Sequence, residues 1–165
     1  MKLTKRGEYA LRALIDLGIA QEVGRPMIQI PELAKRERIP IKFLEQILVE
    51  LKEAGYLDSK RGQQGGYWLK MPLKQIKLGD LVRRVEGPLA PIRCVSQTAY
   101  ARCSCPDEEH CGLRMLMLDV RNAIANILDR YTLAQTVEAA LGKLRRDGVP
   151  IPFSRPLRSR KSGLK

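Results

Sequence analysis

Apolar residues near the start of the chain recur at helical spacing in three blocks with short breaks between them. Over residues 9–19 they return every three or four positions, which predicts an amphipathic helix capped by Thr4. Pro31 favours the first turn of a short second helix, and Pro40 favours the first turn of a third. Gly55 suits the left-handed position that ends the third helix.

The hydrophobic period changes after Gly55. Residues 56–59 and 67–69 have the composition of two short strands, and residues 60–66 form a polar, glycine-rich tip between them. Three helices with a tight turn before the third, followed by a basic hairpin, are the order of a winged helix-turn-helix. We therefore predict a mainly α fold in which residues 1–72 form a DNA-binding domain of three helices and a two-stranded wing.

The second half of the chain alternates helical and irregular segments. A short helix is predicted over residues 78–85, and helical spacing returns over residues 113–131 and again over residues 133–144. Every cysteine of the sequence lies in the irregular stretch between the first two of these segments: Cys94, Cys103, Cys105 and Cys111.

The segment over residues 113–131 predicts a long helix whose apolar stripe needs a partner surface. The same helix of a second subunit is favoured, because two-fold dimers are the commonest oligomers and suit helix-turn-helix proteins. Packing on its own domain is the alternative. We expect residues 73–145 to form a sensor loop and dimerisation helices, including this long C-terminal dimerisation helix, and residues 146–165 to form a basic, flexible tail.

The charge of the chain points to a polyanionic partner. Thirty Lys and Arg against eighteen Asp and Glu give a net charge of +12, which favours nucleic acid first and an anionic membrane surface second. No apolar run approaches the length of a membrane span and no signal peptide is apparent, so we expect a cytoplasmic protein with no membrane partner. We expect no enzyme either, because the glycines of residues 62–66 lie on a hairpin rather than at a strand-to-helix junction and a lone histidine offers no catalytic triad.

Candidate DNA contacts lie at the start of the third helix and on the wing. Lys42, Glu45 and Gln46 occupy the end of the helix from which base edges are read, and each side chain has a base partner. An arginine on a hairpin, such as Arg61, suits a narrow minor groove, while lysines suit phosphates. The predicted DNA-binding set is Lys2, Lys5, Lys35, Lys42, Glu45, Gln46, Lys60, Arg61, Gln63 and Gln64.

Several short motifs resemble those of one family of bacterial regulators. Residues 1–4, 9–11, 43–46, 61–67, 78–80 and 111–114 resemble the Rrf2 family in order and spacing, over roughly residues 1–145. The resemblance implies a homodimeric repressor or activator that binds a double-stranded DNA operator, with Glu45, Gln46 and Arg61 at DNA-contact positions. It also implies an iron–sulfur cluster, held by three cysteines before the long helix, that reports iron supply, oxidative stress or nitric oxide.

The same resemblance suggests the ligands of that cluster, of the [2Fe-2S] or [4Fe-4S] type. The gap between Cys105 and Cys111 resembles the family's last gap, so Cys94, Cys105 and Cys111 are favoured and Cys103 is a substitute. Some relatives have a histidine where this chain has Arg114. The fourth ligand is then expected to be Glu8, at a position where some relatives donate an acidic residue across the dimer, with His110 as its substitute.

Two other interpretations of the cysteines stay open. Zinc could bind Cys103, Cys105, His110 and Cys111, or all four cysteines, although one residue between Cys103 and Cys105 is tight for a zinc knuckle. Alternatively, Cys103 or Cys105 could pair with Cys94 or Cys111 as a thiol switch. With zinc, the winged helix would serve as an interaction module without a DNA target.

Overall fold

Six α-helices and one β-hairpin make up the part of the chain described by the computed structural model, residues 3–154. The helices are α1 (Lys5–Glu22), α2 (Ile30–Glu37), α3 (Ile41–Glu53), α4 (Leu78–Glu86), α5 (Gly112–Arg130) and α6 (Leu133–Arg146); the strands are β1 (Leu57–Lys60) and β2 (Gly66–Leu69). Short 3-10 turns cover Leu73–Gln75 and Arg93–Val95. This order confirms the predicted mainly α fold, with a three-helix unit, a two-stranded wing and a long helix in the second half.

The predicted helix ends have local causes in the structure. Thr4 has an extended backbone, and its hydroxyl accepts a hydrogen bond from the Gly7 amide at 3.2 Å, which caps α1. Arg38 ends α2 in the left-handed region at φ 53°, so that three residues suffice to turn the chain into α3. Gly55 takes φ 84° after α3, which a side chain would disfavour.

The wing is positioned by contacts between backbones. β1 and β2 pair antiparallel from Leu57 opposite Leu69 to Lys60 opposite Gly66. Tyr67 on β2 also exchanges two backbone hydrogen bonds with Ile28, at 3.0 and 2.9 Å, just before α2. A Cβ atom on Gly66 would lie 2.6 Å from the Ile28 carbonyl oxygen, so glycine permits this approach.

α1 lies in the middle of one continuous hydrophobic core. Leu14 and Leu17 are fully buried in it, together with the apolar face of α3. α6 returns to the same core, where Val137 packs against α1 at Gly18. The last helix of the predicted second unit therefore packs directly on the predicted DNA-binding unit.

The segment assigned to the tail begins with residues that pack on this core. Phe153 is only 9% exposed and belongs to the core. Residues 155–165 of that segment, and Lys2 among the predicted DNA contacts, lie outside the described residues.

The long helix α5 contacts its own chain through few of its side chains. Among its residues only Arg121 is buried, while most of its large apolar side chains face outward. Arg83 of α4 holds it through two hydrogen bonds to Asp129, at 2.7 and 2.8 Å. No helix among residues 3–154 combines the length and apolar character that crossing a bilayer requires.

The α1–α6 contact gives a test of stability. A Cβ on Gly18 would lie 2.6 Å from Val137 Cγ2 and 3.0 Å from Leu73 Cδ2. We expect Gly18→Ala to lower the free energy of unfolding by about 1–3 kcal/mol, because overpacking forces the helices apart. Urea unfolding followed by circular dichroism measures this.

Gly142→Ala on α6 is the matched control. No atom lies within 4 Å of its added Cβ, so replacing a glycine inside a helix should stabilise by about 0.5–1 kcal/mol. Equal effects of the two substitutions would contradict the close packing of α6 on α1.

Candidate DNA-binding surface and cysteine loop

The start of α3 presents polar side chains to solvent. Lys42, Glu45 and Gln46 are all exposed, directly after the tight turn from α2. Glu45 lies between two concavities, one of about 740 Å³ toward the wing and one of about 690 Å³ toward α1. Lys42 and Gln46 line only the second. The structure thus presents the three side chains on one outward surface of α3.

The wing forms the other wall of the larger groove. Lys60, Arg61 and Gln63 line it, and Gln64 is exposed at the tip. The Gln29 side-chain amide donates a 2.7 Å hydrogen bond to the Gln63 carbonyl, which ties the tip to the start of α2.

Two groove residues whose side chains hydrogen-bond to the wing were absent from the predicted DNA-binding set. Gln29 and Lys52 both line the groove, and Lys52 Nζ donates to Ser59 Oγ at 2.7 Å on β1. The position of Gln29 just before the Pro31 helix start could have pointed to the first. Nothing local to the sequence marks Lys52.

Lys5 and Lys35, the other two described lysines of the predicted DNA-binding set, differ in their surroundings. Lys5 binds Glu8 at 2.8 Å and lies over the ring of Tyr9, whereas Lys35 is exposed on α2. Within residues 3–154, Lys5 is therefore less available to a phosphate than Lys35.

An ionic network joins α1 to the helix-turn-helix. Asp16 is buried in α1 and accepts a 2.6 Å hydrogen bond from Arg36 of α2. Burial, then the nearby charge of Glu37, raises the pKa of Asp16 to about 7, and Arg36 opposes the shift. Arg12 connects Glu37 at 2.6 Å with Glu8 at 3.0 Å.

The cysteines lie on a loop that packs against the start of α5. Cys94 is buried in the 3-10 turn, and the other three thiols are partly exposed. Cys111 caps α5, since its sulfur accepts from the Arg114 amide at 3.4 Å. The Arg114 side chain reaches back to the Cys94 carbonyl at 3.4 Å and to Glu108 at 3.4 Å.

The four thiols are close enough to influence one another. A hydrogen bond of the Cys105 thiol with Cys103, then burial and the neighbouring Cys111, raise the pKa of Cys105 to about 11. Burial, with Cys103 nearby, also raises the pKa of Cys94. Nevertheless, no group of three or more His, Cys, Asp or Glu in the described part of the chain is arranged to hold a metal ion. The thiols are therefore neighbours, without the convergence of a preformed metal site.

Each of the two candidate fourth ligands has a different partner in the structure. Glu8 is engaged by Lys5 and Arg12, and the Lys5 hydrogen bond lowers the pKa of its carboxyl. His110 is on the loop, but its side chain is 81% exposed and Nδ1 lies 2.7 Å from Asp107. Neither Glu8 nor His110 is among the groups that set the pKa of Cys94 or Cys105.

The loop also contacts the middle of α5. Arg121 is 9% exposed and lies beside residues 96–98, which follow Cys94. Its Nε is buried without a hydrogen-bond partner among the described residues. A movement of the loop would therefore change contacts in the middle of α5 as well as at its first turn.

Comparisons with known proteins agree on one family. The profile of the Rrf2 family, described as an iron-dependent transcriptional regulator, matches residues 3–139. An rrf2-like HTH-type transcriptional regulator of Rhodobacter capsulatus is 37% identical over 139 residues, covering 83% of this chain and 93% of that protein.

Two solved structures are similar in fold to this chain. CymR (YrzC), the global cysteine regulator of B. subtilis, has a TM-score of 0.69 at 27% identity, covering 84% of this chain and 98% of its own. IscR of T. potens has a TM-score of 0.64 at 27% identity, covering 85% of this chain and 88% of its own. These relatives are regulators rather than enzymes, and the winged helix and the family resemblance predicted from the sequence are confirmed. The chain belongs to the Rrf2 family of DNA-binding transcriptional regulators.

Proposed function

We propose that this regulator acts as a homodimer that binds an operator through α3 and the wing and senses through an iron–sulfur cluster on residues 94–111. The observation that carries the sensing part is the grouping of four thiols on a loop attached to the start of α5. Membership of the Rrf2 family supports DNA binding, and the exposed surface of α3 and the wing supports the proposed location of the DNA contact.

The proposed operator contacts divide by chemistry. Gln46 suits the two hydrogen-bonding atoms of adenine, Glu45 suits the amino group of cytosine, and Lys42 suits guanine or phosphate. Arg61, at the rim of the groove between α3 and the wing, suits the negative potential of a narrow minor groove. The proposed contact with the phosphate backbone of the DNA is completed by Lys60, Gln63, Gln64 and the lysines of α1 and α2.

The apolar face of α5 supports dimerisation. Leu116 is 56% exposed and Ile127 59% exposed, and Leu113, Val120 and Tyr131 extend the same stripe at helical spacing. A stripe of this kind on one long helix is an unfavourable surface for water and suits the same helix of a second copy. Dimerisation would also bring two recognition helices to successive major-groove turns.

The donor chemistry of the loop fits an iron–sulfur cluster. Thiolates are the ligands such clusters use, and Cys94, Cys105 and Cys111 would hold it, with Cys103 as the substitute. The raised pKa of Cys105 means that binding must displace thiol protons, which iron does readily. When bound, the cluster would supply a group that is sensitive to iron supply, oxidants or nitric oxide.

Glu8, donated across the dimer, is the proposed fourth ligand. Its carboxyl is kept ionised by Lys5, and it shares Arg12 with Glu37 at the end of α2. A change in the partners of Glu8 would therefore alter the contacts of Arg12 close to the turn between α2 and α3.

Besides Glu8, contacts through α4 connect α5, and with it the cysteine loop, to the start of α1. Arg83 of α4 binds Asp129 of α5, and Glu86 at the end of α4 accepts hydrogen bonds from the Thr4 amide and hydroxyl at 2.9 and 2.8 Å. Repositioning of α5 would thus move the cap of α1 through α4. We propose that two such arrangements differ in the spacing of the recognition helices, so that sensing shifts their populations.

DNA recognition is tested with a duplex selected from a random pool by the purified protein. We expect Arg61→Ala and Gln46→Ala each to weaken binding by about tenfold to a hundredfold, since each removes a groove contact worth about 1–3 kcal/mol. Fluorescence anisotropy measures the affinity.

Lys143→Ala is the control for that experiment, because Lys143 lies on α6 and binds Asp147 at 2.7 Å. It should change the affinity little. If the three variants bound alike, α3 and the wing would not be the reading surface.

Dimerisation is tested by placing a charge in the α5 stripe. We expect Leu116→Glu and Ile127→Glu to convert a dimer into a monomer at micromolar concentration, because each burial contributes about 1.5–3 kcal/mol. Sedimentation velocity measures the mass.

Val149→Glu is the matched control, since Val149 is an exposed apolar residue that lies outside α5. It should remain dimeric. A monomeric wild type, or dimers in all variants, would exclude α5 as the interface.

The cluster is tested on protein purified without oxygen. We expect visible absorption with iron and sulfide in the wild type and in Cys103→Ser, and their loss in Cys94→Ser, Cys105→Ser and Cys111→Ser. Glu8→Ala should keep the cluster but lose it faster in air.

Other outcomes of that experiment are equally informative. An unchanged lifetime in Glu8→Ala would remove Glu8 from the ligand set. A colourless wild type with about one zinc per chain, or a metal-free wild type that forms a disulfide on oxidation, would replace the cluster by zinc or by a thiol switch.

A further inference from the structure

Arg121 lies on the side of α5 that packs against its own chain. Helical spacing places it about one turn from Met117 and from Ile124, on the inward side where an apolar residue is expected. It is only 9% exposed, and it is the one buried residue of α5. A guanidinium stays protonated in proteins, so this side chain carries a positive charge into the packed side of the helix.

The charge of Arg121 has no carboxylate partner within the chain. None of the ion pairs formed within residues 3–154 includes it. Its Nε is also buried without a hydrogen-bond acceptor in this described part of the chain. Residues 1–2 and 155–165 contain no Asp or Glu, so all acidic side chains of the sequence are accounted for. A buried charge of this kind is costly unless an opposite charge reaches it.

The neighbouring cation on α4 is already compensated. Arg83 donates hydrogen bonds to Asp129 at 2.7 and 2.8 Å and lies 3.5 Å from a carboxylate oxygen of Asp80. The hydrogen bond from Arg83 lowers the pKa of Asp129, and Arg121 is not among the charges that do so. The two acidic residues therefore offset the charge of Arg83 and leave that of Arg121.

A small cavity lies beside Arg121, between the cysteine loop and α5. Its volume is about 20 Å³, its polar wall is residues 96–98 of the loop, and its apolar wall includes Leu89 and Ala125. No Asp or Glu of the described residues lines it. A cavity of this volume admits about one water molecule or one monatomic ion, whereas a carboxylate side chain or a tetrahedral oxyanion is too large.

The loop supplies a second hydrogen-bond donor to this cavity. Ser96 is 8% exposed, and its Oγ accepts a hydrogen bond from the Ala99 amide at 3.0 Å. A hydroxyl that accepts still has one proton to donate, and Ser96 lines the cavity. Arg121 Nε and Ser96 Oγ thus provide donors from the two sides of the cavity.

We propose that a monovalent anion of chloride size binds in this cavity, between Arg121 of α5 and Ser96 of the cysteine loop. Such an ion accepts hydrogen bonds from both donors and offsets the guanidinium charge, and the apolar wall strengthens the attraction because it excludes water. A water molecule could accept from Nε but would leave the charge uncompensated. A carboxylate from a second subunit is excluded by the volume of the cavity.

The bound anion would connect the loop to the middle of α5. The loop residues that line the cavity follow Cys94 in the chain, so the ion stabilises the packing of this part of the loop against the helix. The site requires neither the proposed iron–sulfur cluster nor DNA, so its failure would leave those two proposals unchanged.

Thermal unfolding of the full-length chain tests for the anion. Potassium chloride replaces potassium gluconate at a constant total of about 0.3 M, so that general screening of charges stays the same. We expect the midpoint to rise by about 3–6 °C when the chloride concentration is tenfold above its dissociation constant. The same midpoint in both salts would overturn the proposal.

Two variants on α5 assign the effect to Arg121. Arg121→Met removes the charge and keeps a long side chain, and we expect it to lose the chloride-dependent rise. Arg130→Met removes the same charge from an exposed position of the helix and should keep the full rise. Equal rises in the two variants would contradict binding at Arg121.

Hydrogen exchange locates the ion in the wild type. We expect the amides of residues 95–101 to exchange more slowly in chloride than in gluconate, because the ion ties this part of the loop to α5. If these amides exchanged alike in the two salts, any bound chloride would lie elsewhere and the proposal would be overturned.

Crystals of the wild type grown in sodium bromide provide a test that needs no variant. We expect an anomalous bromide peak within hydrogen-bonding distance of Arg121 Nε. Crystals without this peak would overturn the proposal. A peak that is not accompanied by a chloride-dependent rise of the midpoint would be an adventitious ion only, and it would overturn the proposal as well.

Discussion

The contact of α6 with α1 at Gly18 holds the two halves of the chain on one core. Val137 fills the space that a larger residue at this position would need, so the two helices approach closely. α4, the cysteine loop and α5 lie between two elements that are fixed on that core. A change in the loop therefore cannot be absorbed by a free hinge between domains, and it acts on neighbours that are already packed.

The elements of this fold are predictable because their causes are local. Helical spacing, the Thr4 cap and the left-handed Gly55 each act within a few residues, and they define α1 and α3 closely. The partners of the elements are not local. Nothing in the periodicity of α6 states that it packs on α1, and nothing in a basic, proline-containing tail indicates that Phe153 is buried against α2.

In the candidate sites too, the features with local causes could be predicted from the sequence, and the non-local contacts could not. The cysteines could be placed on one loop and the proposed DNA-reading residues on α3 and the wing, because these groups are close along the chain. The capping of α5 by Cys111 and the bond from Arg114 to the Cys94 carbonyl depend on how the loop folds back, so the sequence could not reveal them. It also could not show that Glu8 is paired with Lys5 and Arg12 within the chain. Ligation by Glu8 would have to compete with those two cations.

The wing owes its direction to hydrogen bonds made by its main chain. Two bonds between Ile28 and Tyr67, and the approach allowed by Gly66, orient the hairpin, and Gln29 binds a main-chain carbonyl at the tip. The side chain of Gln64 is exposed there and takes no part in that support. The side chains that the tip presents to the proposed DNA contact can therefore change while the hairpin keeps its orientation. In this fold, divergence of the side chains at the wing tip is separated from the maintenance of structure.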